Sequence, residues 1–148
     1  MATEQAPARV IALDVGRARI GLAVTAPRGD QALAHSVLQR QGTRVDLQRL
    51  VAMAAQLQVA RWVVGLPPAA DAGAADSRGL ILRFVDALRT AQALPVDVID
   101  EAESTVQAHD ELRALGMRAA RRRTVVDAYA AKIILDRWLA ARPTKVEP

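Results

Sequence analysis

Three carboxylates stand where a carboxylate is expensive. Asp14 lies at the end of an apolar stretch, VIALDV, and Glu101 follows Asp100 directly at the carboxyl end of the strand-like run VDVI. Asp127 falls in line with Ala131, Ile134 and Trp138, which places it near the buried stripe of a helix. Singly, each has a plainer explanation. Asp14 would serve as a turn residue bonding its own backbone, Asp100 or Glu101 as a strand exit, and Asp127 as a helix-start acid three positions after Thr124. Jointly they imply chemistry. At about 4 Å and an effective dielectric near 20, each like-charge pair costs roughly 4 kcal/mol, so three convergent carboxylates either take up protons or bind cations. A dication reverses that sign, and two can clamp the attacking and leaving oxygens of a phosphodiester.

Composition narrows the choice of ion and partner. The chain has no cysteine and only two histidines, His35 and His109, so disulfides, zinc fingers, thiol nucleophiles and multi-histidine sites drop out. Carboxylate ligands suit hard cations, Mg²⁺ or Mn²⁺. No GxxxxGK[ST] loop and no G-x-S-x-G elbow occurs, and Ser104 reads as a helix cap. The net charge is +4, the isoelectric point is near 10.6, and all but two of the 20 basic residues are arginine. The densest cluster, RAARRR, contains Arg118, Arg121, Arg122 and Arg123. Its alternatives are a solvated helix connection and a phosphate grip near Asp127. With aromatics at 3%, a base-stacking platform is excluded, so any nucleic acid is held through phosphate. No apolar run approaches bilayer length and the first ten residues lack a signal-peptide pattern, so a cytoplasmic protein with no membrane partner is expected.

The elements that must position these groups follow from periodicity. At 148 residues, 51% hydrophobic and 24% charged, one domain over 1–148 is expected, with frayed ends at about 1–8 and 143–148. Arg9–Val15 and Arg19–Thr25 read as strands joined by a short turn around Gly16, and Ala32–Gln39 completes an antiparallel meander. Helical spacing then takes over at Leu47, Leu50, Val51, Ala54 and Leu57, with Thr43 and Asp46 as its start signal. The run WVVGLP reads as a buried strand ended by Pro67 and Pro68. A helix carries Leu80, Ile81, Phe84, Val85 and Leu88, and Val96–Asp100 forms the last strand. Ser104 and Gln107 open a helix that Gly116 stops, and a final helix spans about Thr124 to Ala141. This order predicts an α/β fold: a mixed sheet of a three-stranded meander and two parallel strands, flanked by helices. If the first strand is central, its end lies beside the end of VDVID with the last helix across both.

These segments carry a family resemblance. ALDVGRARIGLAV resembles the DxGxxRxGxA opening of the YqgF or RuvX family, WVVGLP its VVGLP strand, VIDEAEST its DERxT motif, and RRRTVVDAYAAKIIL its basic final helix. The likeness runs in order from Val10 to Leu139. It implies an RNase H-like fold related to RuvC-type resolvases, with Asp14, Glu101 and Asp127 as catalytic, metal-binding acids. It further implies Gly16 as the residue permitting the turn, and Arg19 and Thr105 as substrate contacts beside the arginine cluster. Two Mg²⁺ or Mn²⁺ ions are expected, with Asp14 bridging them from the centre of the sheet. The implied activity is hydrolysis of structured RNA in 5′-end maturation of pre-16S ribosomal RNA. Cleavage of branched DNA by a homodimer, and nucleic-acid binding without catalysis, are the alternatives. The sequence departs from the family at Ala102, where Arg is usual, at Glu103, and in the loop PAADAGAADSRG, where Ala72 and Ala75 replace glycines.

Overall fold

The structure, a computed structural model, describes residues 8–28, 30–68, 74–101 and 104–141, without the side chains of residues 74–76, 104 and 105. Alternating apolar residues form β1 (Arg9–Val15) and β2 (Arg19–Thr25), a hairpin closed over Arg17 and Ala18 by the Gly16 N–H donating to the Arg19 carbonyl at 2.9 Å. β3 (Ala32–Gln39) pairs antiparallel with β2, as the meander requires. There follow α1 (Thr43–Leu57), β4 (Val59–Leu66), α2 (Ala74–Ala91), β5 (Val96–Asp100), α3 (Ser104–Ala114) and α4 (Ala119–Ala141). The sheet order is β3-β2-β1-β4-β5, with β4 parallel to β1 and β5 parallel to β4.

Each face of this sheet has its own core. Ile11, Leu13, Ile20, Leu22, Trp62 and Val64 pack against Leu50 of α1 and Phe84, Val85 and Leu88 of α2. The opposite face is built of smaller groups, Val10, Ala12, Ala23 and Val63, against Ala131, Ile134 and Leu135 of α4. Small side chains let that helix settle close to the strands. A third cluster, Ala108, Leu112, Val126, Ala130 and Ile133, joins α3 to α4.

Several of these readings change. α4 begins at Ala119 rather than Thr124, because Ala and Arg are strong helix formers. Thr124 does not cap; its hydroxyl donates to the Arg121 carbonyl at 2.7 Å, inside the helix. The residue before α1 is Gly42, at φ 107°, and no side chain caps it; Asp46 reaches back instead and accepts from the Gln41 N–H at 2.9 Å. β4 starts at Val59, three residues before WVVGLP, and α2 is already helical at Ala74, inside the stretch read as a loop. Finally, β4 lies between β1 and β5, so the ends of β1 and β5 are not neighbours. Ala72, Ala102 and Glu103 lie outside the described residues, as do 1–7 and 142–148.

Candidate active site

Strand alternation sends Asp14 to the face that Val10 and Ala12 share with α4. Its partner across β2 is Gly21, and a Cβ there would overlap the carbonyl of Asp127. The α4 backbone therefore rests on β2 at the one position without a side chain, which sets Asp127 beside Asp14. On β5 the same face carries Asp97 and Ile99, and Glu101 is next in that alternation. To reach Asp14, Glu101 must cross β4. It does so over Gly65, where a Cβ would stand 2.7 Å from Glu101 Oε2, 2.9 Å from its Cβ and 2.5 Å from Ile134 Cδ1. The Glu101 N–H is tied to the Leu66 carbonyl at 3.0 Å, extending the ladder one residue past β5.

Burial and neighbouring negative charge favour the protonated forms of both carboxyls. Burial pushes Glu101 up to about 8, helped by the Asp14 charge and by the hydrogen bond Glu101 donates to Asp14, against a smaller opposing pull from Arg137. Burial, then the Asp127 charge, raises Asp14 to about 6, although accepting that hydrogen bond favours its ionised form. Oε2 of Glu101 is buried and finds no hydrogen-bond donor among the described residues. A buried acceptor in that state is costly, and a cation would satisfy it.

The third carboxylate is neutralised differently. Arg19 Nε donates to Asp127 Oδ2 at 2.6 Å, with Arg19 48% and Asp127 18% exposed. Accordingly, no three His, Asp or Glu side chains converge as a ready metal donor set among the described residues. Asp127 faces Arg19 rather than the other two acids' contact point. The donor chemistry nevertheless fits Mg²⁺ or Mn²⁺: oxygen ligands only, two adjoining buried carboxyls, and one unsatisfied buried oxygen.

The remaining expectations divide. Arg118, the residue before α4, and Arg121 and Arg123 in its first turns are exposed. Arg122 is half-buried, and its Nη1 donates to the Met117 carbonyl at 2.8 Å. The Thr105 side chain lies outside the described residues. Gly16 is not at positive φ; a Cβ there would press the Arg19 carbonyl at 3.0 Å, so it supplies space rather than unusual backbone. Gly21, Gly65 and Arg137 escaped the sequence reading. A glycine inside an apolar strand was the available signal for the first two.

The chain matches the family described as "RuvX: Holliday junction resolvase" over residues 8–141. It belongs to the RuvX family. It is 39% identical over 134 residues to the "Putative pre-16S rRNA nuclease" of Anaeromyxobacter dehalogenans, covering 90% of this chain and 98% of that one. A protein of the same name from Mycobacterium leprae is 37% identical over 150 residues, covering 94% and 78% of the two chains. Among solved structures, Thermus thermophilus RuvC in complex with a Holliday junction substrate superposes with a TM-score of 0.58 at 20% identity, over 92% of this RuvX chain and 99% of RuvC. That likeness is one of fold.

Proposed function

We propose that this RuvX protein is a divalent-metal-dependent hydrolase that cuts phosphodiester bonds in structured RNA, acting in the cytoplasm in 5′-end maturation of pre-16S ribosomal RNA. The observation that carries this reading is the Asp14–Glu101 carboxyl pair with its unsatisfied Oε2, set beside Asp127. The relatives' shared name as pre-16S rRNA nucleases supports the choice of RNA.

Asp14, Glu101 and Asp127 would hold Mg²⁺ or Mn²⁺, two ions in all. When bound, these lower the pKa of the attacking water and stabilise the charge that builds on the displaced oxygen. To serve as ligands, Asp14 and Glu101 would have to be deprotonated, so metal binding would be linked to proton release. Arg19 leaves Asp127 and turns its guanidinium to a substrate phosphate. Arg118, Arg121 and Arg123 position the strand through phosphate without reading its bases.

Labelled RNA, duplex DNA and four-way junctions, each with Mg²⁺ and Mn²⁺, provide the test. Wild type should cut RNA, and Asp127→Asn should bind but not cut. RNA affinity should fall with salt at a log–log slope of about −2 to −4, for three or four phosphate contacts. Absence of RNA cleavage with either ion, or a flat salt titration, would refute the proposal. The family's description favours a second reading, resolution of branched DNA, which needs paired sites. Junction cleavage by a species that light scattering sizes as a dimer would select it. If Asp14→Asn left both RNA binding and the response to Mn²⁺ unchanged, the chain would be a binding module alone.

A further inference from the structure

A separate cavity of about 360 Å³ opens between α3 and the start of α4, lined by Val106, His109, Asp110, Arg113, Ala119, Arg122 and Arg123. Its volume is at the small end for ligand sites, room for one nucleotide unit and not for a duplex. Three guanidiniums and an imidazole meet one carboxylate there, and that carboxylate, Asp110, is held by Arg113 at 3.2 Å in an exposed pair of little strength. Arg122 is already anchored on the Met117 carbonyl, and its Nε is buried without a partner. Its position is therefore fixed before any ligand arrives. Val106, 59% exposed, gives the cavity one apolar wall.

The cavity's position relates it to the acids. Arg123 precedes Asp127 by four residues, one turn of α4, about 6 Å along the axis. We infer that this cavity is a phosphate subsite, in which Arg113, Arg122, Arg123 and His109 receive a phosphate of the nucleotide next to the bond cut at the acid centre. The inference rests on the nuclease reading for its purpose but not for its chemistry. The shared ligand chemistry is a nucleotide phosphate, either a terminal 5′-monophosphate or an internal diester.

The test uses the double variant His109→Ala/Arg113→Ala, neither residue belonging to the acid centre, after its melting temperature has shown it folded. Adenosine 5′-monophosphate is titrated by calorimetry at low salt, and short RNAs with a 5′-phosphate or a 5′-hydroxyl by fluorescence anisotropy. Wild type should bind the monophosphate and the variant should bind it at least tenfold more weakly. RNA affinity should fall by about the same factor, and its salt slope should shrink by roughly 0.7–1.4 for one or two lost contacts. The variant's kcat and Mn²⁺ affinity should not move, only its KM. A wild-type preference of tenfold or more for the 5′-phosphorylated RNA assigns the terminal group, and equal affinities assign the internal diester. If wild type cuts RNA but the variant matches it for both ligands, the subsite is wrong and the nuclease reading survives. If the monophosphate binds and depends on these residues while no RNA is cut, the nuclease reading fails and the subsite stands.

Discussion

Replacing Glu101 by Gln should make the metal-free protein more stable at alkaline pH. Glu101 is raised to about 8 and Asp14 to about 6, both above the carboxylate values of an unfolded chain. The folded state therefore binds more protons than the unfolded one between those limits, and stability falls as pH rises. The contribution is complete below about pH 4 and is lost as pH climbs through about 6 and then about 8. Between about pH 6 and 8 the folded pair keeps roughly one proton that the unfolded chain has released. At about 1.4 kcal/mol per pH unit for one proton, that window removes roughly 2–3 kcal/mol.

Gln offers Asp14 an N–H donor at every pH and has no proton to lose. At roughly 2–4 °C per kcal/mol for a chain of this size, Glu101→Gln should melt about 4–12 °C above wild type at pH 8 and close to it at pH 5. The assay is a set of thermal melts with chelator from pH 5 to 8. Groups common to both proteins cancel in the difference. Saturating Mn²⁺ should reverse the order, because only wild type gains stability from the bound ion. The reasoning fails if the variant melts at or below wild type at pH 8 in chelator, or if the difference does not grow with pH.

Arg19→Ala removes the cation that competes for Asp127. An exposed pair of this kind contributes up to about 1 kcal/mol, so Mn²⁺ should bind roughly two- to fivefold more tightly by calorimetry while RNA binds more weakly. Weaker Mn²⁺ binding would mean that Arg19 supports the site instead of occupying it. Gly65→Ala places a methyl against Glu101 and Ile134, and should cost about 1–3 kcal/mol by urea titration. It should also flatten the pH dependence just described, because Glu101 is pushed off Asp14; an unchanged pH profile would show that the crossing over β4 does not depend on Gly65. Gly21→Ala meets backbone rather than a movable side chain, so its urea midpoint should fall further than that of Gly65→Ala.

Period-two alternation with turn signals was enough to read the meander, and apolar runs with proline stops were enough for the two parallel strands. Both depend on local chemistry, as does the end of α3. There Gly116, at φ 80°, lets the Met117 N–H return to the Leu112 carbonyl at 3.1 Å. The start of α4 is not where the sequence points, because Thr124 and Asp127 match a capping pattern while the helix already runs from Ala119 through helix-forming Ala and Arg. The site was legible as three misplaced acids but not as a geometry. Strand order is a long-range property, and nothing local shows that β4 separates β1 from β5. Gly65 carried that information as an unexplained glycine in WVVGLP. Arg19 was legible as a motif position, but its engagement with Asp127 follows from where α4 lands on Gly21, which sequence spacing does not encode.

The same face explains how so charged a site is accommodated in a folded protein. Packing there is thin, with glycine at 21 and 65 and alanine at 12, 23 and 131, and this lets α4 come near enough to set Asp127 beside the Asp14–Glu101 pair. Their repulsion is eased in two ways: burial favours protonation of Asp14 and Glu101, and the Arg19 guanidinium pairs with Asp127. Both can be removed: the proton by titration, at the cost in stability worked out above, and the guanidinium by rotation of a side chain that is 48% exposed. The site can thus exchange one set of positive charges for another while the backbone stays in place. Exchange should begin on the Arg19 side, where solvent already reaches the carboxylate, and finish at the buried pair. Proton release should therefore lag behind the first contact of Mn²⁺ with Asp127. In stopped-flow mixing with a pH indicator, Asp127→Asn should slow that release, and an unaltered rate would place entry at Asp14 and Glu101 instead.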